Sequence, residues 1–276
     1  MKTSARLKAS LAALTALALA WPALSAPAAN AAPKKPAKPA RATTVVVLTF
    51  DDGDASNVTA ARMLQRHGMR GTFYVNSGTI GDEGKLTWRQ LAALAKAGHE
   101  IGGHTVDHAR LDELLPDEQR AQICDDRRAL MKRGHRVTTF AYPFGAVDAD
   151  AERTARQCGY NAARTTYGLR HWGCRTCPAA ETLPPADRWE LRAPSSVLDS
   201  TPVRHLKQQV LDAEKAGGGL VPIIFHLICD GCGQYSTTPE RLQEFLGWLE
   251  KRRSRGTVVR TMDQVVRGKV RPLPEE

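Results

Sequence analysis

The chain has 276 residues, 42% of them hydrophobic and 25% charged, which is enough for one large domain or two small ones. Its formal net charge is +10, yet seven of the basic residues lie within residues 1–41, and without them the net charge is +3. That remainder excludes charge as a sign of nucleic-acid binding, and no nucleic-acid partner is expected.

Lys2, Arg6 and Lys8 precede the apolar run Ala9–Ala20, and Ala29-Asn30-Ala31 offers an A-x-A cleavage site. Residues 1–31 are therefore predicted to be a signal peptide. The run is too short for an ordinary membrane span, so no stable span is expected after cleavage. Residues 32–42 are almost entirely Ala, Pro and Lys and read as an extended linker. Its basic charge would suit an anionic cell wall. The protein is expected outside the cell, with residues 43–270 as the folded domain and 271–276 as a C-terminal tail.

Thr44–Phe50 is a β-branched run that suits a buried strand. A helix is predicted over Asn57–His67, with Val58, Ala61 and Leu64 on one face and Gly68 as its stop. A strand at Gly71–Val75 and a helix at Thr87–Ala97 follow, the helix capped by Thr87 and ended by Gly98. Next come a short strand near Glu100–Gly102 and a helix over Asp117–Arg133. Further strands are expected at Thr138–Ala141, Asn161–Ala163, Leu220–Phe225 and Thr257–Val259, with helices at Asp148–Cys158, Pro202–Lys215 and Pro239–Arg253. Such alternation implies parallel strands joined by crossover helices, about seven βα units, the number of an incomplete barrel. Tyr167–Pro194 breaks the rhythm and reads as a long loop.

The six cysteines are Cys124, Cys158, Cys174, Cys177, Cys229 and Cys232. An even number behind a signal peptide favours disulfides, with fifteen connectivities open. Two C-x-x-C pairs would also suit a structural zinc.

The reactive residues cluster at predicted strand ends, where a parallel barrel carries its active site. Asp51 and Asp52 end the first strand; adjacent carboxylates repel unless a cation or proton separates them, although an exposed acidic turn has the same pattern. His104 and His108, at i and i+4, would share a helical face and suit one metal. With Asp52 they make one oxygen and two nitrogen ligands, a catalytic zinc pattern with a position left open. Pro143 and Gly145 make a tight turn at Phe144 whose backbone N–H groups suit an oxyanion. His226 ends an apolar strand and becomes a candidate general acid beside the other groups. Tyr142, Trp172, Trp189 and Tyr235 lie near strand ends and are candidate sugar contacts.

TFDDG, H-T-x-x-H, the P-F-G turn and a late strand ending in His resemble, in that order, the polysaccharide deacetylase (NodB-homology, carbohydrate esterase) family. Stretches such as GTFYVN, GHEIGGHT and FHLICDGCGQYST look like a secreted bacterial branch of it. The resemblance runs from about Val45 to Val266 and implies a distorted (β/α)7 barrel. It implies Asp51 as general base, with Asp52, His104 and His108 holding a divalent metal, zinc first and cobalt or another divalent ion next. It further implies the Phe144 backbone N–H as oxyanion donor and His226 as acid. The implied substrate is an acetylated polysaccharide or oligosaccharide: chitin, peptidoglycan or acetylated xylan. A monomer is expected. Many members carry an arginine that orients the base where this chain has Ala141; Arg192 is the candidate substitute. Asp187 is a poor match for the acidic partner of the catalytic histidine.

Rival readings are a catalytically impaired carbohydrate- or cell-wall-binding relative, a serine esterase and a wall scaffold held by the linker. Retention of both Asp51 and His226 argues against the first, and no G-x-S-x-G elbow supports the second.

Overall fold

The computed structural model describes residues 43–273. The predicted signal peptide and linker fall outside them. Ten strands are found there: β1 (Thr44–Phe50), β2 (Thr72–Val75), β3 (Glu100–Gly103), β4 (Thr139–Ala141), β5 (Ala162–Gly168), β6 (Leu191–Ala193), β7 (Gly219–Phe225), β8 (Leu227–Ile228), β9 (Ser236–Thr237) and β10 (Thr257–Val259). Strands β1 to β7 pair in parallel in the order β7-β1-β2-β3-β4-β5-β6, and β8 pairs with β9 beyond them. No ladder joins β6 to β7. The gap is bridged by the Val197 N–H on Ile224 O (2.9 Å) and by Glu181, whose backbone exchanges hydrogen bonds with Leu220. The result is a parallel sheet nearly closed into a barrel.

The expected barrel is therefore present, but its staves differ from those read in the sequence. Thr257–Val259 is a strand beside the first half of β1, not a stave of the ring. The stave in its place is β6, inside the segment predicted to be a loop, into which β5 also extends as far as Gly168. A three-residue strand, Leu-Arg-Ala, carries too little pattern to announce itself between Pro- and Cys-rich turns.

The helices are α1 (Asn57–Arg66), α2 (Trp88–Lys96), α3 (Pro116–Arg120), α4 (Asp126–Lys132), α5 (Ala149–Gln157), α6 (Val203–Lys215), α7 (Pro239–Arg252) and α8 (Met262–Val266). Thr87 caps α2 through a reciprocal box with Gln90. The single helix expected over 117–133 is interrupted by a π turn at Ala121–Asp125.

Alternation along the strands sorts the core into two faces. Val46, Leu48 and Phe50 of β1 face the helices, as do Val221, Ile223 and Phe225 of β7. Val45, Val47, Ala162, Leu191 and Leu220 point inward and pack on Met262 and Val266 of α8, which plugs one end of the barrel. Every β1 residue is buried, as a strand covered on both faces must be.

The cysteines pair as Cys124–Cys158, Cys174–Cys177 and Cys229–Cys232, so neither C-x-x-C pair has thiolates left for zinc. Cys124–Cys158 ties the π turn to the end of α5 across 34 residues of sequence. Replacing both cysteines with alanine should lower the unfolding free energy by about 2–4 kcal/mol, measured by chemical denaturation.

Candidate active site

The inward alternation that plugs one end of the barrel opens a cleft at the other. Continuing the inward set Val45, Val47, Thr49 brings Asp51 to the mouth, and continuing Leu220, Pro222, Ile224 brings His226. The β1–β7 register pairs Phe50 with Phe225, and the Asp51 N–H donates to Phe225 O (2.9 Å). Asp51 and His226 are thus set on adjacent strand ends. On β5, two residues after inward Ala162, Arg164 also points in. Its Nη2 lies 2.5 Å from Asp51 Oδ2, and its guanidinium sits over the Tyr74 ring at 5.2 Å. Gly102 makes room for that ring: a Cβ there would lie 2.5 Å from the Tyr74 side chain.

Asp52 and Gly53 turn the chain with φ of +69° and +61°, a left-handed bend that Asp and Gly tolerate. This aims the Asp52 carboxylate at the segment after β3. His104 and His108 do not share a helix face, as their spacing suggested. The segment is a loop with Thr105 and His108 in left-handed conformation (φ +68° and +67°). It is braced from both sides. Asp126 accepts from the His104 and Ser77 N–H groups (3.1 and 3.0 Å), the Gly78 N–H donates to Val106 O (2.8 Å), and Gln122 accepts from the Val106 N–H (3.0 Å).

This loop brings Nε2 of His104 and of His108 each to 3.3 Å from Asp52 Oδ1. The three ligand atoms lie within 4.8 Å of one another. His104 Nδ1 is 2.7 Å from Ala141 O, so it carries the proton and a neutral ring turns an Nε2 lone pair toward the carboxylate. Asp52 Oδ1 is buried without a hydrogen-bond donor. Three electron-rich atoms facing one another call for a positive charge between them. Burial opposes ionisation of Asp52, but when a proton on His104 or His108 faces it, that interaction outweighs burial and holds the carboxyl well below the usual range. Burial likewise opposes protonation of His104, and the Asp52 and Asp51 carboxylates outweigh it and move the imidazole up. A divalent cation fits this donor set.

The cleft measures about 380 Å³ and brings together Asp51, Asp52, His104, His108, Tyr142, Phe144, His226 and Tyr235. Phe144 has φ +58°, and its exposed ring packs edge-on against His108 at 4.6 Å. Tyr235 leans on His226 (5.2 Å). Burial lowers the His226 pKa, Asp51 and Asp52 oppose that shift, and its Nδ1 has no partner. Asp187 accepts from the Trp189 N–H (2.7 Å) in its own turn.

Three candidates lie elsewhere. Arg192 is not beside Asp51: its Nε and Nη2 bind the two carboxylate oxygens of buried Glu181 (2.5 and 3.0 Å). The guanidinium next to Asp51 is that of Arg164, which the sequence reading missed. Its only signal was a charged residue closing the short predicted strand Asn161–Ala163. Trp189 is 8% exposed and packs against Arg156 (4.9 Å), outside the cleft. Trp172 lies in a neighbouring cavity. Tyr167 and Arg110, also unforeseen, form part of the cleft wall.

Residues 38–163 match the family described as polysaccharide deacetylase. Those residues hold Asp51, Asp52, His104, His108 and Phe144. That stretch of the chain, just under half of it, is thus similar to the polysaccharide deacetylase family. It is 32% identical over 123 residues to the Bacillus subtilis protein YxkH, covering 44% of each chain. It is 30% identical over 133 residues to PgdA of Listeria monocytogenes, named a peptidoglycan-N-acetylglucosamine deacetylase, covering 47% of this chain and 27% of that one. The chain thus spans less than half the length of either relative. A family 4 acetyl xylan esterase from Clostridium thermocellum, solved with a cobalt ion, shares the fold at 20% identity and a TM-score of 0.55. That match covers 80% of this chain and 90% of the esterase. No helix among the described residues is long and apolar enough to cross a membrane.

Zinc at a hundredfold excess over its Kd should stabilise the folded protein by about 2.7 kcal/mol, reversed by a chelator. Asp52→Asn and His104→Ala should each abolish the shift, measured by thermal denaturation.

Proposed function

We propose that the protein is a metal-dependent hydrolase that removes acetyl groups from a glycan. The observation that carries this is the position of the Asp52–His104–His108 cluster beside the buried Arg164–Asp51 pair and His226, all in one open cleft. Zinc is the metal of choice for one oxygen and two nitrogen ligands, and cobalt is an acceptable substitute. When bound, such a cation supplies Lewis-acid polarisation of the acetyl carbonyl and acidifies water at the site.

The residues of the chain divide the remaining work. Arg164 binds Asp51 Oδ2, buried Oδ1 has no partner among the described residues, and Asp51 is the proposed base that takes a proton from the attacking water. The Phe144 backbone N–H is the proposed donor to the developing oxyanion. His226 donates a proton to the leaving amine or alcohol, and burial makes it a stronger acid by lowering its pKa. Tyr235, exposed beside His226, is the proposed sugar contact, whereas Tyr142 is buried in the cleft floor and offers the sugar no face. An N-acetyl substrate is preferred on the name of the Listeria relative, and an O-acetyl xylan on that of the Clostridium one. Secretion and action at the cell surface fit the predicted leader and the three disulfides.

One observation favours the alternative of a catalytically impaired, glycan-binding relative: among the described residues no carboxylate orients the free Nδ1 of His226. Acetate release decides between them. Zinc-loaded protein should release acetate from N-acetylated chitooligosaccharides or from acetylated xylan, and chelation should stop it. Asp51→Asn should lower kcat by about 10²–10⁴-fold and Arg164→Met by about 10²-fold, both with the zinc-induced thermal shift retained. Zinc binding without release from any acetylated glycan would support the impaired relative.

A further inference from the structure

A second cavity, of about 390 Å³, lies beside the metal cleft, and Ser196 lines both. It is walled by the segment Ser195–Val197 after β6, by α6, and by the loop after β5 that the Cys174–Cys177 disulfide closes. The three sides carry distinct chemistry. Arg175 is exposed and makes no hydrogen bond or ion pair among the described residues. Arg170 is partly answered: its Nε donates to Cys177 O (3.2 Å) and its Nη1 lies 4.0 Å from Asp212 Oδ2. On α6, Gln209 Oε1 is buried without a donor. At the rim the Trp172 indole is 73% exposed.

We propose that this cavity is a subsite for a hexuronic acid unit of the same glycan whose acetylated sugar enters the cleft. The proposal rests on the deacetylase reading only for that continuity. A uronic acid answers each feature. Its carboxylate pairs with the fork of Arg175, which suits a planar two-oxygen anion. Its hydroxyls supply the donor that Gln209 Oε1 lacks, since a buried acceptor without a partner costs free energy. Its apolar ring face covers the Trp172 indole, an amphipathic surface. A phosphorylated sugar fits less well, because Asp212 lines the same cavity and repels a dianion twice as strongly as a monoanion. A neutral sugar leaves the Arg175 charge unanswered.

The test uses calorimetry on the wild type and Arg175→Gln with two ligands: the β-1,4-linked glucose hexasaccharide and its C6-oxidised form, in which every unit is a glucuronic acid. Neither carries an acetyl group, so neither is turned over, and the result is independent of the deacetylase reading, which acetate release tests separately. The wild type should bind the oxidised form about tenfold more tightly, equivalent to one charge-assisted contact. Arg175→Gln, on an exposed loop, should remove that preference and leave affinity for the neutral form unchanged. Equal affinity of the wild type for both forms, binding to neither, or a preference that survives Arg175→Gln would overturn the assignment.

Discussion

Strand β1 is hydrogen-bonded along its whole length to β7 on one side, and on the other to β10 at its start and β2 at its end. The placement of Asp51 and His226 on adjacent strand ends follows from that pairing. Because side chains alternate, a slip of one residue in β1 would turn Val45, Val47 and Asp51 outward and send Val46, Leu48 and Phe50 into the barrel. Burial of seven apolar or β-branched residues therefore holds the Asp51 carboxylate that follows them. The same alternation in β7 and β5 delivers His226 and Arg164 to the same mouth. Core and cleft are two ends of one periodic pattern.

At the cleft the pattern works against stability. Arg164 and Asp51 are 2% and 5% exposed as side chains, and removing both charges from water costs about as much as their attraction returns. Tyr74 below the guanidinium, and Gly102 leaving it space, show that the interior is shaped around this pair. Six of the eleven buried polar atoms without partners among the described residues belong to cleft residues: Asp51, Asp52, Tyr142, Arg164, Thr166 and His226. Unsatisfied groups concentrated at one place are what a site waiting for a cation and a polar substrate should show. Gln209, in the adjoining cavity, extends the same signature beyond the cleft.

The long strands and amphipathic helices were legible because their patterns are local: seven buried residues in β1, or the 3.6-residue spacing of α1. The barrel class followed from their alternation. The errors fell where pairing overrides local pattern. Strand β6 exists because β5 offers it an edge, and β10 was mistaken for a stave because an apolar triplet does not say which side of β1 it joins. The π turn within 117–133 was equally silent.

For the site, the residue types and their order along the chain were in the sequence: two carboxylates at a strand end, a histidine pair, a turn, and a late histidine. What the sequence could not contain was the route by which they meet. The histidine pair converges through a loop with two left-handed residues, not through helical spacing, because the braces come from Asp126 and Gln122, far along the chain. The guanidinium beside Asp51 comes from Arg164, 113 residues away, while Arg192 is held by Glu181. Local chemistry is written residue by residue; which charge answers which is decided by strand register and barrel curvature, and those exist only in the folded chain.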